Sequence, residues 1–181
     1  MDRRIEATPG FCILWALLLL VFPLRLLMAA AAAALMHELG HILAIGLTGN
    51  RILGLRVGAG GMVLETMPME PWRELFCALA GPVGSLLLVT LQAWFPLLAL
   101  CAFVQGCFNL LPLYPLDGGR ALACVLRIAG MEKLLKPIEI ITLLVLLLAA
   151  VCSGLGWGAV AVWGMLAVRK IPCKAARFAV Q

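Results

Sequence analysis

The sequence predicts an all-α polytopic membrane protein of about six transmembrane helices, with a short β-hairpin or re-entrant loop between the second and third. Composition is the first observation: 64% of the 181 residues are hydrophobic and mean hydropathy is +1.09. An ordinary soluble domain is only about 45–50% apolar. The second is the alternation of apolar runs with short charged segments, and the third is how unevenly those segments share Lys and Arg.

The spans follow in order. Phe11 to Leu24 is short for the roughly 20 residues a bilayer asks of a helix, and Pro23 and Arg25 mark its turn into the next. Leu26 to Leu47 holds a single formal charge, Glu38. Arg51 to Glu65 reads as two short apolar runs around Gly58-Ala59-Gly60-Gly61; a hairpin, a re-entrant loop or a plain connection fits. Leu75 to Gln92 and Phe95 to Leu113 are the third and fourth spans, and Arg120 to Ile140 has the polarity of a surface helix and turn. The charge-free run Ile140 to Val168 is too long for one crossing, so Ser153-Gly154-Leu155-Gly156 is expected to turn between Ile138–Cys152 and Trp157–Val168. No repeat, low-complexity tract or long linker interrupts the chain, and residues 1–181 are expected to be one domain with no appended soluble regulatory domain.

Basic residues give an independent test of topology. With the amino terminus in the cytoplasm, the inner segments hold Arg3 and Arg4, then Arg51, Arg56 and Arg73, then Arg120, Arg127, Lys133 and Lys136, then Arg169, Lys170, Lys174 and Arg177. Of the 14 Lys and Arg only Arg25 falls outside. That bias follows the positive-inside rule and predicts a multi-pass protein of the cell membrane with both termini cytoplasmic. The net charge of +5 is then a topology signal. No basic run is interleaved with aromatics, so nucleic acid is not an expected partner. Arg3 and Arg4 before an apolar core also fit a cleaved signal peptide. Cleavage near the alanines would discard a packing partner of the second span, and the first span is read as retained.

Both histidines lie in one pentapeptide of the second span, His37-Glu38-Leu39-Gly40-His41. Residues four apart on a helix share a face with Cβ atoms about 6 Å apart, so two imidazoles can grip one Zn²⁺ at roughly 2.0–2.1 Å each. Glu38 is suited to stay outside the coordination sphere and accept a proton from a water the metal activates. In a soluble helix such a pattern often arises by chance. Within a bilayer, ionisable groups are costly and mark function.

A catalytic zinc site usually takes three protein ligands and leaves a position for water. Glu65 lies in the downstream window that supplies the third ligand in many soluble enzymes with this pentapeptide, but it follows a glycine-rich segment with no sign of a helix to present it. Asp117 is the better candidate. No charge occurs from Leu75 to Leu116, so Asp117 is the first met where the fourth span reaches the inner side, at the depth of His41. Pro112, Pro115, Gly118 and Gly119 exclude a regular helix there, and irregular backbone at membrane depth belongs where protein buries it or a watery cavity borders it. Asn109 is placed to orient substrate or stabilise an oxyanion with its amide; the alternative is an interhelical hydrogen bond.

The HELGH of residues 37–41 together with Asn109 through Leu116-Asp117-Gly118-Gly119 resembles the site-2 protease family of intramembrane zinc metalloproteases, most closely its stage IV sporulation protein FB type. The resemblance covers most of the chain. It implies His37, His41 and Asp117 as ligands of one Zn²⁺ per chain, Glu38 as catalytic base and Asn109 as a polar active-site residue. Ala80-Gly81-Pro82 is similar to the family's glycine-proline signature, although Ser85 stands where asparagine is frequent. The resemblance also implies that the Arg51 to Glu65 element pairs with extended substrate.

The expected activity is hydrolysis of a peptide bond in a membrane-spanning or membrane-associated protein near the cytoplasmic face, with control from other membrane proteins. Two other classes fit parts of the pattern: a metal or proton transporter using His37, Glu38, His41 and Asp117 as a relay, and an inactive relative that binds membrane proteins without cutting. Transport lacks the paired broken helices of two repeated halves, and every residue that hydrolysis asks for is present. The seven cysteines form no C-x-x-C pair and read as packing.

Overall fold

Pro9, Pro23 and Pro71 each introduce a helix, because proline lacks the N–H that a first turn would leave unpaired and holds φ near the helical value. The structure is a computed structural model and describes residues 4–7, 9–58 and 61–152. In order they form β1 (Arg4–Ala7), α1 (Pro9–Val21), α2 (Leu24–Leu47), β2 (Ile52–Gly58), β3 (Gly61–Thr66), α3 (Pro71–Leu88), α4 (Pro96–Asn109), α5 (Asp117–Ile128) and α6 (Leu135–Cys152). The chain divides into two compact units, Met1–Asn109 and Leu110–Gln181.

In the first unit α2 packs on α3 and α4. Ala33 of α2, Leu88 of α3 and Ala102 of α4 are buried in one cluster, and small side chains at such a contact let backbones come close. The approach is tightest between α2 and α3, where a Cβ on Gly40 would stand 2.5 Å from the Ala80 carbonyl oxygen. α2 stops at Thr48 through Gly49, whose φ of 71° suits glycine. Gly49 and Asn50 donate their N–H groups to the Gly46 and Ile45 carbonyls, closing a Schellman turn.

The Arg51 to Glu65 element is a β-hairpin. β2 and β3 pair antiparallel with Gly58 opposite Gly61, and β1 joins β2 in parallel, giving the order β1-β2-β3. The sheet is fastened at the C-terminal end of α2, where Ile52, Leu64 and Met69 pack against buried Ala44, Ile45 and Cys77.

In the second unit the loop 110–116 leads into α5 and packs on α6, with Leu113 and Leu116 buried against Leu111, Leu143 and Leu146. The fourth span, expected to reach Leu113, stops as a helix at Asn109, because Pro112 can neither donate an N–H nor let the residue before it stay helical. α5 occupies the stretch expected as a surface helix and begins three residues earlier, at Asp117.

Among the described residues two helices, Leu24–Leu47 and Pro71–Leu91 with its terminal 3₁₀ turn, are long and apolar enough to cross a membrane, and Pro96–Asn109 is a shorter apolar helix. Large apolar side chains such as Leu35, Leu43, Val83 and Leu87 are exposed on the two long helices. The expected sixth span, Trp157–Val168, and the turn before it lie outside the described residues.

The α2–α3 contact makes a prediction. Gly40→Val is expected to overpack it at a cost of about 1–3 kcal/mol, whereas Gly46→Ala, where a Cβ would meet nothing within 4 Å, is expected to leave stability unchanged or raised. Thermal unfolding in detergent reads both.

Candidate metal centre

His37 and His41 stand one turn apart on α2, both buried in spite of their polarity, at 3% and 7% exposure. Their Nε2 atoms are 3.2 Å apart. Each remaining ring nitrogen has a partner on α3: His41 Nδ1 lies 2.8 Å from the Cys77 carbonyl oxygen and His37 Nδ1 lies 2.9 Å from Ser85 Oγ.

These partners determine what the Nε2 atoms can do. A carbonyl oxygen only accepts, so His41 Nδ1 carries a proton, and in the neutral ring Nε2 is left as a lone pair. The Ser85 hydroxyl can accept the Nδ1 proton of His37 in the same way, which aims a second lone pair at the first. With both rings in that tautomer the two Nε2 atoms, 3.2 Å apart, face a point that a cation can occupy. Nitrogens each about 2.0–2.1 Å from a tetrahedral zinc stand about 3.3–3.4 Å apart, close to the spacing found. The donor set therefore fits zinc, and both rings have the outer hydrogen bond that metal-ligating histidines usually make.

α3 is shaped to receive these rings. A Cβ on Gly81 would fall on the His41 imidazole, so glycine is required for the ring to lie against the helix. Pro82, buried inside α3, has no N–H to offer the Ala78 carbonyl of the preceding turn. The Cys77 carbonyl that holds His41 belongs to it. Ser85 is fully buried, and its Cβ lies within 3.3 Å of where a Cβ on Gly106 of α4 would be.

The other expected residues are placed as follows. Glu38 is half-buried on α2 between the two histidines in sequence. Asn109 ends α4, and its amide donates to the Gln105 carbonyl at 3.1 Å, a bond within its own helix. Asp117 opens α5 and is buried at 8% exposure, a position where the helix dipole favours a carboxylate. A Cβ on Gly118 or Gly119 would collide with the backbone of Leu110, or of Leu113 and Tyr114. Only two glycines after Asp117 let this first turn rest on the loop. Glu65 lies exposed on β3.

Two contacts of the site emerge only from the structure. The Cys77 carbonyl leaves no trace in a side-chain pattern. Ser85 did, as a polar residue one turn after Gly81 in an apolar span, but only the structure joins it to His37.

A site-2 protease from Methanocaldococcus jannaschii has a structure similar to this one, with a TM-score of 0.65 at 23% identity, covering 90% of this chain and 86% of that one. The fold is thus that of a site-2 protease. A provisionally named zinc metalloprotease of Synechocystis sp. is 32% identical over an alignment of 157 positions that covers 77% of this chain and 39% of the relative. A zinc metalloprotease of Methanocaldococcus jannaschii is 34% identical over an alignment of 111 positions that covers 52% of this chain and 32% of the relative. The chain therefore spans well under half the length of the curated relatives it matches. No family model matches it.

Ser85→Ala removes the partner of His37 Nδ1 and is expected to weaken zinc binding by roughly 10–100-fold. Gly81→Ala is expected to lower zinc retention more, by displacing the His41 ring. Competition with a chromogenic chelator measures both.

Proposed function

We propose that this chain, folded as a site-2 protease, is a zinc metalloprotease of that family that cleaves a peptide bond at membrane depth. The observation that carries this reading is the convergence of two imidazole Nε2 atoms, 3.2 Å apart, on a 24-residue apolar helix. The names of the two curated relatives support zinc and proteolysis.

His37 and His41 supply two ligands, Asp117 is the third, and the two units act as one catalytic domain. Bound zinc would lower the pKa of a water and polarise the scissile carbonyl. Glu38 accepts the proton of the attacking water and returns it to the leaving amine. Asn109 orients the substrate carbonyl, its side chain steadied by the bond to Gln105. The β1-β2-β3 sheet offers edge backbone groups to a substrate segment that has unwound.

The substrate class is a membrane-spanning or membrane-tethered protein cut near the cytoplasmic face, with regulation by other membrane proteins. Placement of all but one of the 14 Lys and Arg in alternate segments supports cytoplasmic termini in a multi-pass protein. The HELGH and LDGG sequences support the stage IV sporulation protein FB type within the family.

Glu38→Gln in membranes with candidate substrates tests the mechanism. Zinc is expected to remain and cleavage to fall by at least about 10²–10⁴-fold, the range of general-base catalysis. Cleavage equal to the parent's would remove Glu38 from the reaction. Asp117→Ala is expected to lower zinc content, and unchanged stoichiometry would redirect the third ligand to Glu65.

A further inference from the structure

Glu139 is the buried charge that the proposed chemistry leaves unused. It lies on α6, with only 8% of its surface exposed, and no formal charge follows it on that helix, from Ile140 to Cys152. A carboxylate in such surroundings is costly unless hydrogen-bonded. Its Oε1 accepts the backbone N–H of Tyr114 at 2.9 Å.

Tyr114 belongs to the loop 110–116 that ends at Asp117. Pro112 and Pro115 have no N–H, while Leu113 and Leu116 donate theirs to the Leu111 and Leu113 carbonyls inside the loop. The Tyr114 N–H goes instead to α6. Leu143 and Leu146, four and seven residues after Glu139, share its helix face and hold Leu113 and Leu116. One face of α6 therefore holds the loop twice, by apolar packing and by one directional bond.

The same peptide supports α5. A Cβ on Gly119 would collide with the Leu113 carbonyl carbon and the Tyr114 nitrogen, so the first turn of α5 rests on the peptide that Glu139 holds. Asp117 is two residues before Gly119 on that turn.

We infer that Glu139 is a positioning residue for Asp117, acting through the Tyr114 N–H. This rests on the reading of Asp117 as a zinc ligand. The required property is an acceptor oxygen at the reach of a glutamate side chain; negative charge is not required.

The test uses the purified full chain with zinc competition and, after Co²⁺ substitution, the visible absorption bands that report ligand geometry. Glu139→Gln keeps the acceptor and the length, and is expected to stay within about threefold of the parent's zinc affinity with unchanged Co²⁺ bands. Glu139→Asp keeps the charge but is one methylene short, and Glu139→Leu removes the acceptor. Both are expected to weaken zinc by roughly 10–100-fold, the usual range for losing an outer partner of a metal site, and to shift the Co²⁺ bands. Loss in Glu139→Gln equal to that in Glu139→Asp would overturn the inference, since charge would then be what matters. Parent-like binding by Glu139→Asp would overturn it too. Asp117→Ala, run in parallel, separates the two levels: if it leaves zinc affinity and Co²⁺ bands unchanged, the ligand assignment fails; if it changes them while Glu139→Asp does not, only the role of Glu139 fails.

Discussion

Two imidazole rings one helical turn apart can share a cation only if both Nε2 lone pairs point at one place, and a helix alone does not ensure that. Free rotation about two side-chain torsions would scatter them. What fixes them is α3, where the Cys77 carbonyl and the Ser85 hydroxyl take the Nδ1 atoms. This requires α3 to come close to α2. Gly40 and Gly81 remove the side chains that would keep the helices apart or occupy the place of the His41 ring.

Burying polar groups among apolar helices would destabilise the fold if any were left without a partner. Among the described residues no buried side-chain nitrogen or oxygen lacks one. The histidines, Ser85 and Glu139 are each held by a bond between segments distant in sequence, so the polar groups also align α2 with α3 and the loop 110–116 with α6. The apolar clusters supply non-directional attraction; these bonds set register and rotation. Irregular backbone before Asp117 is tolerable for the same reason, since the N–H groups of Leu113 and Leu116 are taken within the loop and that of Tyr114 by α6.

Local chemistry was readable in the sequence, and distant pairing was not. The spacing of His37 and His41 announces a shared face because helix geometry fixes it. Gly58-Ala59-Gly60-Gly61 between short apolar runs left a hairpin among the readings, and the prolines at 112 and 115 announced a break, although the helix ends earlier than the apolar run does. By contrast β1 is four residues whose parallel partner lies some fifty positions on, too short and too remote to leave a periodic signal. The Cys77 carbonyl and the Tyr114 N–H belong to the backbone, which every residue has. Glu139 sat in a stretch read as a solvated face, because one acid beside lysines looks like surface until the fold buries it.

X-ray absorption at the zinc edge of the purified, catalytically active protein tests the central claim most directly. The account predicts one zinc per chain, with only nitrogen and oxygen neighbours at about 2.0–2.1 Å and multiple-scattering features of two imidazoles. A metal-free active protein, or a first shell containing sulfur or no imidazole, would contradict it.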